Sequence, residues 1–253
     1  MNYAALIPTQ NPARWLKQAA GWALDLVYPR ACAICGAAAA PGHLYLCWNC
    51  RTRLPLISPP FCNICGQPGT TGVEDDFICS HCRTSPPAFD RARSICRYQG
   101  IMGQLVREFK YHAALWLRHD FHLLLQAGMA AHYATQHIDA IVFVPLHPFK
   151  ERCRTFNQAQ VLGAGLTRHP LPLPMMDALR RLHPTKTQTH LTAVGRIANV
   201  KGVFQVKPRV NVQGLSLLLL DDVMTTGATV NECALALKQA GAAQVYVLTL
   251  ARG

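Results

Sequence analysis

Residues 217–230 read LLLLDDVMTTGATV, and this stretch decides the fold. Four consecutive leucines are too short a run for a surface helix and suit a strand that is buried on both faces of a parallel sheet. The run ends in Asp221 and Asp222. Apolar residues then recur at helical spacing from 230 to 240, and residues 245–250 (VYVLTL) predict a further strand. We therefore predict an α/β fold whose loop lies at the carboxyl end of a strand, where open sheets bind ligands.

The loop after the two acids offers the groups that bind phosphate. It consists of Thr225, Thr226, Gly227, Ala228 and Thr229. Backbone N–H groups at a helix N-terminus and three hydroxyls can surround an anion, and glycine permits a close approach of the backbone. The two carboxylates can accept hydrogen bonds from vicinal sugar hydroxyls or hold hydrated Mg²⁺. This combination indicates a phosphorylated sugar as the ligand.

The same stretch resembles the phosphoribosyl-pyrophosphate (PRPP) signature of type I phosphoribosyltransferases. The resemblance implies that Asp221 and Asp222 are the catalytic acids and that residues 225–229 bind the 5′-phosphate. An ordinary strand-to-helix turn with a fortuitous acid pair is the alternative. A Walker B strand also ends in acids, but the chain lacks the GxxxxGK[ST] loop that this reading requires.

Length and charge limit the classes of function. The 253 residues can hold one α/β domain and a smaller module, and half of them are apolar. The net charge of +12 favours polyanionic partners such as nucleic acid or phosphorylated ligands, although a solvated positive face is the alternative. No run of eighteen apolar residues and no secretory signal is visible, so we expect no transmembrane segment and a cytoplasmic protein.

The N-terminal region, residues 1–30, predicts an amphipathic helix over 11–27. Trp15 and Trp22 lie on its apolar face together with other large residues at helical spacing. This face can dock onto the rest of the protein or attach to a membrane surface, and the sequence leaves both open, including attachment at the inner face of the membrane.

Residues 31–84 form a second unit, because eight of the eleven cysteines occur there as four CxxC pairs. The pairs are Cys32 and Cys35, Cys47 and Cys50, Cys62 and Cys65, and Cys79 and Cys82. Two CxxC turns complete a tetrahedral Zn²⁺ site, so the spacing predicts two structural zinc ions. Disulfides need an oxidising compartment, and a redox CxxC does not explain four pairs. Sequential pairing is the simplest arrangement, and a cross-braced arrangement stays open.

The remaining unit, residues 88–253, contains a second strand that ends in a loop. Residues 138–144 (IDAIVFV) predict a buried strand, and a helix is expected from about 157 to 167. The loop between them supplies a predicted pyrophosphate site, whose candidates are Pro145, Leu146, His147, Lys150 and Arg154. Cations there can form charge-assisted hydrogen bonds with an anion, whereas a solvated basic loop is the alternative.

Residues 168–210 are polar, rich in proline and weakly periodic. Such a stretch between two anion-type loops indicates a lid. Its candidates for ligand contact are Arg181, Thr185, Gln188, Arg196 and Asn199.

Taken together, the chain resembles the ComF family of competence and DNA-utilisation proteins. The features that carry the resemblance are the CxxC series opening with Pro29-Arg30-Ala31-Cys32, Phe109-Lys110-Tyr111, Phe156-Asn157-Gln158-Ala159, LLLLDDVMTTGAT and Leu250-Ala251-Arg252. The family usually has glycine where this chain has Thr155. The resemblance implies a double zinc-binding module followed by a type I phosphoribosyltransferase-like parallel sheet flanked by helices.

The resemblance also implies a role in natural transformation or DNA uptake and use, with single-stranded DNA handled in the cytoplasm. PRPP with Mg²⁺ is the implied ligand, and other DNA-uptake or helicase proteins are possible partners. Two alternatives remain: a protein that binds single-stranded DNA or nucleotide without turnover, and a salvage enzyme that transfers phosphoribose to a nucleobase. Trp48, Phe61 and Phe77 are candidates for stacking on bases or for packing around the zinc sites.

Overall fold

The computed structural model of the protein describes residues 31–38, 44–69, 76–147, 152, 155–167, 173–182 and 201–253. The helix predicted within residues 1–30 lies outside these ranges. Six candidate site residues also lie outside these ranges: Lys150 and Arg154 of the basic loop, and Thr185, Gln188, Arg196 and Asn199 of the lid. No helix in the described part of the chain is long and apolar enough to cross a membrane.

The cysteine-rich region contains short elements. They are α1 (Trp48–Thr52), β1 (Phe61–Cys62), β2 (Asp76–Phe77) and α2 (Ser80–Thr84). Each helix begins directly after the first cysteine of a CxxC pair, Cys47 or Cys79.

The second region alternates strands and helices. Its first half contains β3 (Arg91–Arg97), α3 (Gly100–Tyr111), a 3₁₀ turn (Leu115–Leu117), α4 (Arg118–Tyr133), β4 (Ala140–Phe143) and α5 (Gln158–Gly163). Its second half contains β5 (Met175–Met176), β6 (Leu179–Arg181), β7 (Phe204–Val206), β8 (Ser216–Met224), α6 (Ala228–Gln239) and β9 (Gln244–Arg252).

Five of these strands form one sheet in the order β3-β9-β8-β4-β5, and every neighbouring pair is parallel. The leucine run therefore lies at the centre of the sheet. Its residues alternate between two cores: Leu218 and Leu220 pack in the core that includes α3 and α4, whereas Leu217 and Leu219 pack in the core that includes α6. The α/β class predicted from the sequence is confirmed.

Two features differ from the sequence prediction. The strand does not end at the acids but continues to Met224, because β9 pairs with it through Asp221↔Thr249 and Met224↔Arg252. The weakly periodic stretch is also more regular than predicted. Its described residues include β6 and β7, which pair as an antiparallel two-stranded sheet at the base of the predicted lid.

The cysteine-rich region covers β3, which is an edge strand of the large sheet. Ala92 N–H donates to the Ile64 carbonyl at 2.7 Å, and Ile57 N–H donates to the Ile95 carbonyl at 2.9 Å. A side chain on Gly66 would place its Cβ 2.7 Å from the Ala92 carbonyl oxygen, so the two backbones meet too closely for any other residue. These contacts give the edge strand the partners that it would otherwise lack.

Thr155 adopts a left-handed backbone conformation, with a φ of 66°. β-Branched residues rarely occupy this region, which costs about 1–3 kcal/mol for a residue with a Cβ. Glycine, which the family resemblance implies at this position, would adopt the conformation without this strain.

We expect Thr155→Gly to stabilise the protein by about 1 kcal/mol, because glycine removes the strain at the cost of a more flexible unfolded chain. The midpoint of denaturant unfolding measures the change. Thr155→Ala is the control, since it keeps a Cβ and should gain less. A glycine variant that is less stable than the wild type would contradict the strain assignment.

Candidate functional site

A cavity of about 470 Å³ opens at the carboxyl end of the parallel sheet. It brings together most of the described residues that the sequence predicted for the site. Asp221, Asp222, Thr225, Thr226, Gly227, Ala228, Thr229, Pro145, Leu146 and Arg181 all line it. His147 does not line it. The volume lies in the range typical of small-ligand sites.

The loop between β8 and α6 forms an anion cradle at one end of this cavity. Gly227 is the N-cap of α6 and has a φ of 79°, a conformation that favours glycine. A Cβ at this residue would lie 2.8 Å from the Met224 Cε, so the flexible methionine side chain would have to move. The Thr226 hydroxyl accepts a hydrogen bond from Ala228 N–H at 3.4 Å. A helix N-terminus with hydroxyls around it suits phosphate.

The two acids face different surroundings, as expected for successive residues of a strand. Asp222 is buried and its carboxylate lies 2.8 Å from the Lys110 Nζ on α3. Asp221 accepts a hydrogen bond from the Asp222 backbone N–H at 2.8 Å. Arg181 on β6 and Cys233 on α6 are close enough to influence it electrostatically.

Burial and the neighbouring Asp222 carboxylate raise the pKa of Asp221 from 3.8 to about 7. Lys110, the Asp222 N–H and Arg181 oppose this rise only in part. Asp221 therefore holds its proton to a higher pH than an ordinary aspartate does. A carboxyl group with such a pKa can accept hydrogen bonds or a cation as the anion and can release a proton when a ligand binds.

Lys110 is a residue of this site that the reasoning from chemistry missed. It appeared only in the Phe109-Lys110-Tyr111 phrase of the family resemblance. Phe109 is fully buried and packs edge-to-face on Phe121, with 5.2 Å between the ring centroids, and against Phe156 at 5.4 Å. This anchor holds the end of α3 so that Lys110 reaches Asp222.

Asn157 fixes the loop that follows β4. Its side-chain amide donates to the Val144 carbonyl at 3.1 Å, and its oxygen accepts from Ala159 N–H at 3.0 Å. One side chain thus closes the loop onto the strand end and caps α5. Val144 N–H also donates to the Leu220 carbonyl at 2.9 Å, which joins the loop to β8 directly before the acids.

Arg181 is the one lid candidate within the described residues. Its guanidinium lies over the Phe204 ring, 5.3 Å from the centroid, so it spans β6 and β7. Burial lowers its pKa, and the nearby Asp221 raises it. A cation held in this position between the lid base and the acids can meet an anionic ligand.

The eight CxxC cysteines form two separate clusters of four, pairing the first two motifs and the last two. The sequential arrangement is therefore correct. Within each cluster the ligand atoms lie within 4.8 Å of one another, and Sγ–Sγ distances of 3.6 Å and 3.7 Å join Cys35 to Cys47 and Cys65 to Cys79. Zinc–sulfur bonds of about 2.3 Å place tetrahedral sulfur atoms about 3.8 Å apart. Both clusters thus fit structural zinc.

The two clusters also have the same internal hydrogen-bond pattern. Cys47 N–H points at the Cys32 sulfur and Cys79 N–H at the Cys62 sulfur, both at 3.4 Å. Gly36 and Gly66, which follow the second cysteine of each opening pair, have φ values of 72° and 69°. Both units therefore contain the same turn with a left-handed glycine after the opening CxxC pair.

Comparison with known proteins agrees with this architecture. The double zinc ribbon domain matches residues 23–83. The DNA utilization protein YhgH of Salmonella typhimurium is 34% identical over 226 residues, which cover 82% of this chain and 96% of the relative. The chain belongs to the ComF family. Competence protein F of Haemophilus influenzae is 30% identical and covers 82% of this chain and 90% of its own length.

Relatives and solved structures of lower sequence identity also match. Competence protein ComFC of Bacillus subtilis is 28% identical over 214 residues, covering 82% of this ComF chain and 84% of the relative. Among solved structures, phosphoribosylpyrophosphate synthetase from Mycobacterium smegmatis is 21% identical over 51% of this chain and 33% of its own, with a TM-score of 0.27. This score is low, and the fold assignment comes from the sheet order itself.

The raised pKa of Asp221 predicts how the stability of the protein depends on pH. A folded-state pKa above the unfolded value of 3.8 means that stability is lost as pH rises toward about 7, because folding then requires burial of the charge. Asp221→Asn should therefore stabilise the protein above pH 7 by about 1–3 kcal/mol, less than the full 1.4 kcal/mol per pKa unit because the side chain is partly exposed. Denaturant unfolding at about pH 8 and about pH 5 measures this.

The gain should be clearly smaller at the lower pH, because Asp221 of the wild type is then protonated in the folded state. An equal gain at both pH values would show that packing and not charge causes the difference.

Proposed function

We propose that this ComF protein binds PRPP, or a ligand built like it, in the cavity at the carboxyl end of the sheet. The observation that carries the proposal is the convergence of an anion cradle, an acid pair, Arg181 and the start of the loop after β4 on one cavity. The 5′-phosphate would lie at residues 225–229, and the ribose hydroxyls would bind Asp221 or Asp222. The pyrophosphate would lie by the loop that begins at Pro145, with Arg181 approaching from the lid base.

This arrangement supports a phosphoribosyl transfer without a protein nucleophile. The bond from C1′ to pyrophosphate would break with its electron pair leaving on pyrophosphate, and an acceptor nitrogen would form the new bond to C1′ and then lose a proton. The described residues would contribute by orienting the ligand and by donating hydrogen bonds to the leaving group. Arg181 occupies a part of the cavity wall from which such a donor can act.

Magnesium fits the same acids. Mg²⁺ prefers oxygen ligands and keeps several waters, so one or two carboxylates suffice to hold it with a pyrophosphate. Asp222 is already paired with Lys110, and we propose that Asp221 is the carboxylate that faces the hydrated ion. When bound, Mg²⁺ would neutralise charge on the pyrophosphate.

Titration calorimetry with Mg·PRPP tests the proposal. The wild type should bind, and the Asp221→Asn/Asp222→Asn double variant should lose about tenfold or more in affinity, because charge-assisted hydrogen bonds contribute about 1.5–3 kcal/mol each. Asp139→Asn is the matched control. Asp139 accepts a hydrogen bond from Ser216 N–H at 2.8 Å, at the opposite end of the same strand. No binding by the wild type, or equal binding by the double variant, would overturn the proposal.

Turnover needs a separate measurement. Release of pyrophosphate from PRPP, assayed across nucleobases and oligonucleotides, distinguishes a transferase from a protein that only binds. Release with a free nucleobase would support the salvage alternative, and release that requires an oligonucleotide would support a reaction in DNA use.

A specific observation favours single-stranded DNA as a second ligand. Trp48, between two zinc-ligating cysteines, is 73% exposed. Phe61 instead packs under Arg93, whose guanidinium lies 4.6 Å from the ring centroid, and Phe77 packs in the core near the second cluster. Of the three stacking candidates, Trp48 alone thus presents a largely exposed ring. Together with the net charge of +12 and the relatives named for DNA utilization, this supports single-stranded DNA binding in the cell's use of DNA.

We expect Trp48→Leu to weaken oligonucleotide binding by roughly tenfold, since stacking contributes about 1–3 kcal/mol per base. Trp48→Phe is the control because it keeps an aromatic ring. Fluorescence anisotropy at about 50 and about 200 mM salt measures both affinity and its salt dependence, which phosphate contacts require. Binding that is salt-independent, or equal in the wild type and the leucine variant, would remove this second function.

A further inference from the structure

Arg252, near the end of β9, joins the second cysteine cluster to the anion cradle. Its Nη1 donates to the Cys65 carbonyl at 2.8 Å, and its Nη2 lies 3.7 Å from the Cys65 sulfur. Its Nε donates to the Gln67 side chain at 2.8 Å. The side chain is 9% exposed. An arginine this buried, with donors on a zinc-ligating sulfur and on the turn around it, holds the metal ligand in its orientation.

The same guanidinium reaches the strand that leads into the cradle. Its Nη1 lies 3.5 Å from the Met224 Sδ, and Gly253 N–H donates to the Met224 carbonyl at 3.1 Å. The Met224 methyl group lies directly beneath Gly227, the N-cap of α6. An unbroken series of contacts therefore runs from Cys65 through Arg252 and Met224 to the proposed phosphate site.

A second, smaller cavity follows this series. It has a volume of about 120 Å³ and lies between the second cysteine cluster and the first turn of α6. Cys65, Cys82, Met224, Gly227 and Arg252 all line it. Arg252 thus lines the space between the cluster and the cradle.

The first cysteine cluster has no comparable connection within the described residues. It packs in the core that includes α3 and α4, and its polar contacts to the large domain go to α4: Tyr45 N–H donates to Asp120 at 2.8 Å, and the Arg51 Nη2 lies 3.2 Å from the other Asp120 oxygen. Asp120 is absent from the lining of either cavity. Two clusters with the same internal hydrogen bonds therefore differ in what they support.

We propose that Arg252 is a positioning residue that fixes the anion cradle to the second cysteine cluster, so that an intact second zinc site, unlike the first, is needed for ligand binding. The ligand part of this inference rests on the proposed PRPP site. Zinc would supply the rigid four-sulfur centre, and the chain's own contribution is the Arg252 guanidinium, which transmits that rigidity to Met224 and Gly227. The first site serves to dock the module on α4.

Arg252→Met in the full-length zinc-loaded protein tests the contact without removing a metal ligand. We expect three changes: amide hydrogen exchange of residues 224–231 becomes faster, zinc release to a chromogenic chelator becomes about tenfold faster for one of the two ions, and Mg·PRPP affinity falls about tenfold. Arg252→Lys should recover part of each effect. Arg51→Met is the matched control, because it removes an arginine between the first cluster and α4, and it should leave the exchange of residues 224–231 unchanged.

Cys79→Ser and Cys47→Ser extend the comparison to the two metal sites, since these residues have equivalent positions in the two units. The Cys79 variant should accelerate exchange in residues 224–231, and the Cys47 variant should not. Unchanged exchange in Arg252→Met, or equal effects of Arg252→Met and Arg51→Met, would overturn the coupling even if the cysteine variants do not fold. If the wild type does not bind PRPP, the proposed function fails, whereas exchange and zinc release still decide the role of Arg252.

Discussion

The parallel hydrogen bonding of β8 to β4 on one side and to β9 on the other is the constraint on which the site depends. Phe143 pairs with Leu220, and Met224 pairs with Arg252, so three chain segments leave the sheet at the same edge. Residues that follow all three strands line one cavity: Pro145 and Leu146 after β4, residues 225–229 after β8 and Gly253 after β9. The core residues of β8 are buried on both faces, so their burial fixes the register that brings the segments together.

This constraint also explains why the acid pair is energetically expensive. A strand that must remain buried to hold the register carries two carboxylates near its carboxyl end, and Asp222 forms an ion pair with Lys110. The unfavourable energy appears as the raised pKa of Asp221. A protein selected only for stability would not place two acids at this point, and this cost is typical of residues that are kept for binding.

Features that depend on one local pattern could be predicted from the sequence. Three such features are the leucine run, the helix after the Thr-Gly loop and the CxxC spacing. In each of them several residues recur in a pattern that is typical of one structure. Lys110 and Arg252 could not be derived from chemistry in this way, because a single cation at the end of a helix or strand carries no period. Both residues belong to motifs of the family resemblance, but tertiary packing determines their partners, Asp222 and Cys65. The three-residue strands β6 and β7 are too short to show alternation.

The sequence also left the cysteine pairing open and could not distinguish exposed from packed aromatic residues. The cysteine pairing depends on how the module itself folds, and the exposure of the aromatic residues depends on where the module lies against the large domain. No local pattern records either. Trp48 and Phe61 have similar positions next to cysteines, yet only Phe61 meets the large domain through Arg93.

The buried hydrogen bond between the Ser94 and Thr249 hydroxyls, at 2.7 Å, joins residues 155 positions apart. In contrast, Cys35 and Cys47 are 12 positions apart, and Cys65 and Cys79 are 14. The entropic cost of closing a loop rises with its length, so the two cysteine units can form well before β3 and β9 meet. We therefore expect the zinc module to cover one edge of β3 before that strand pairs with β9 on its other edge.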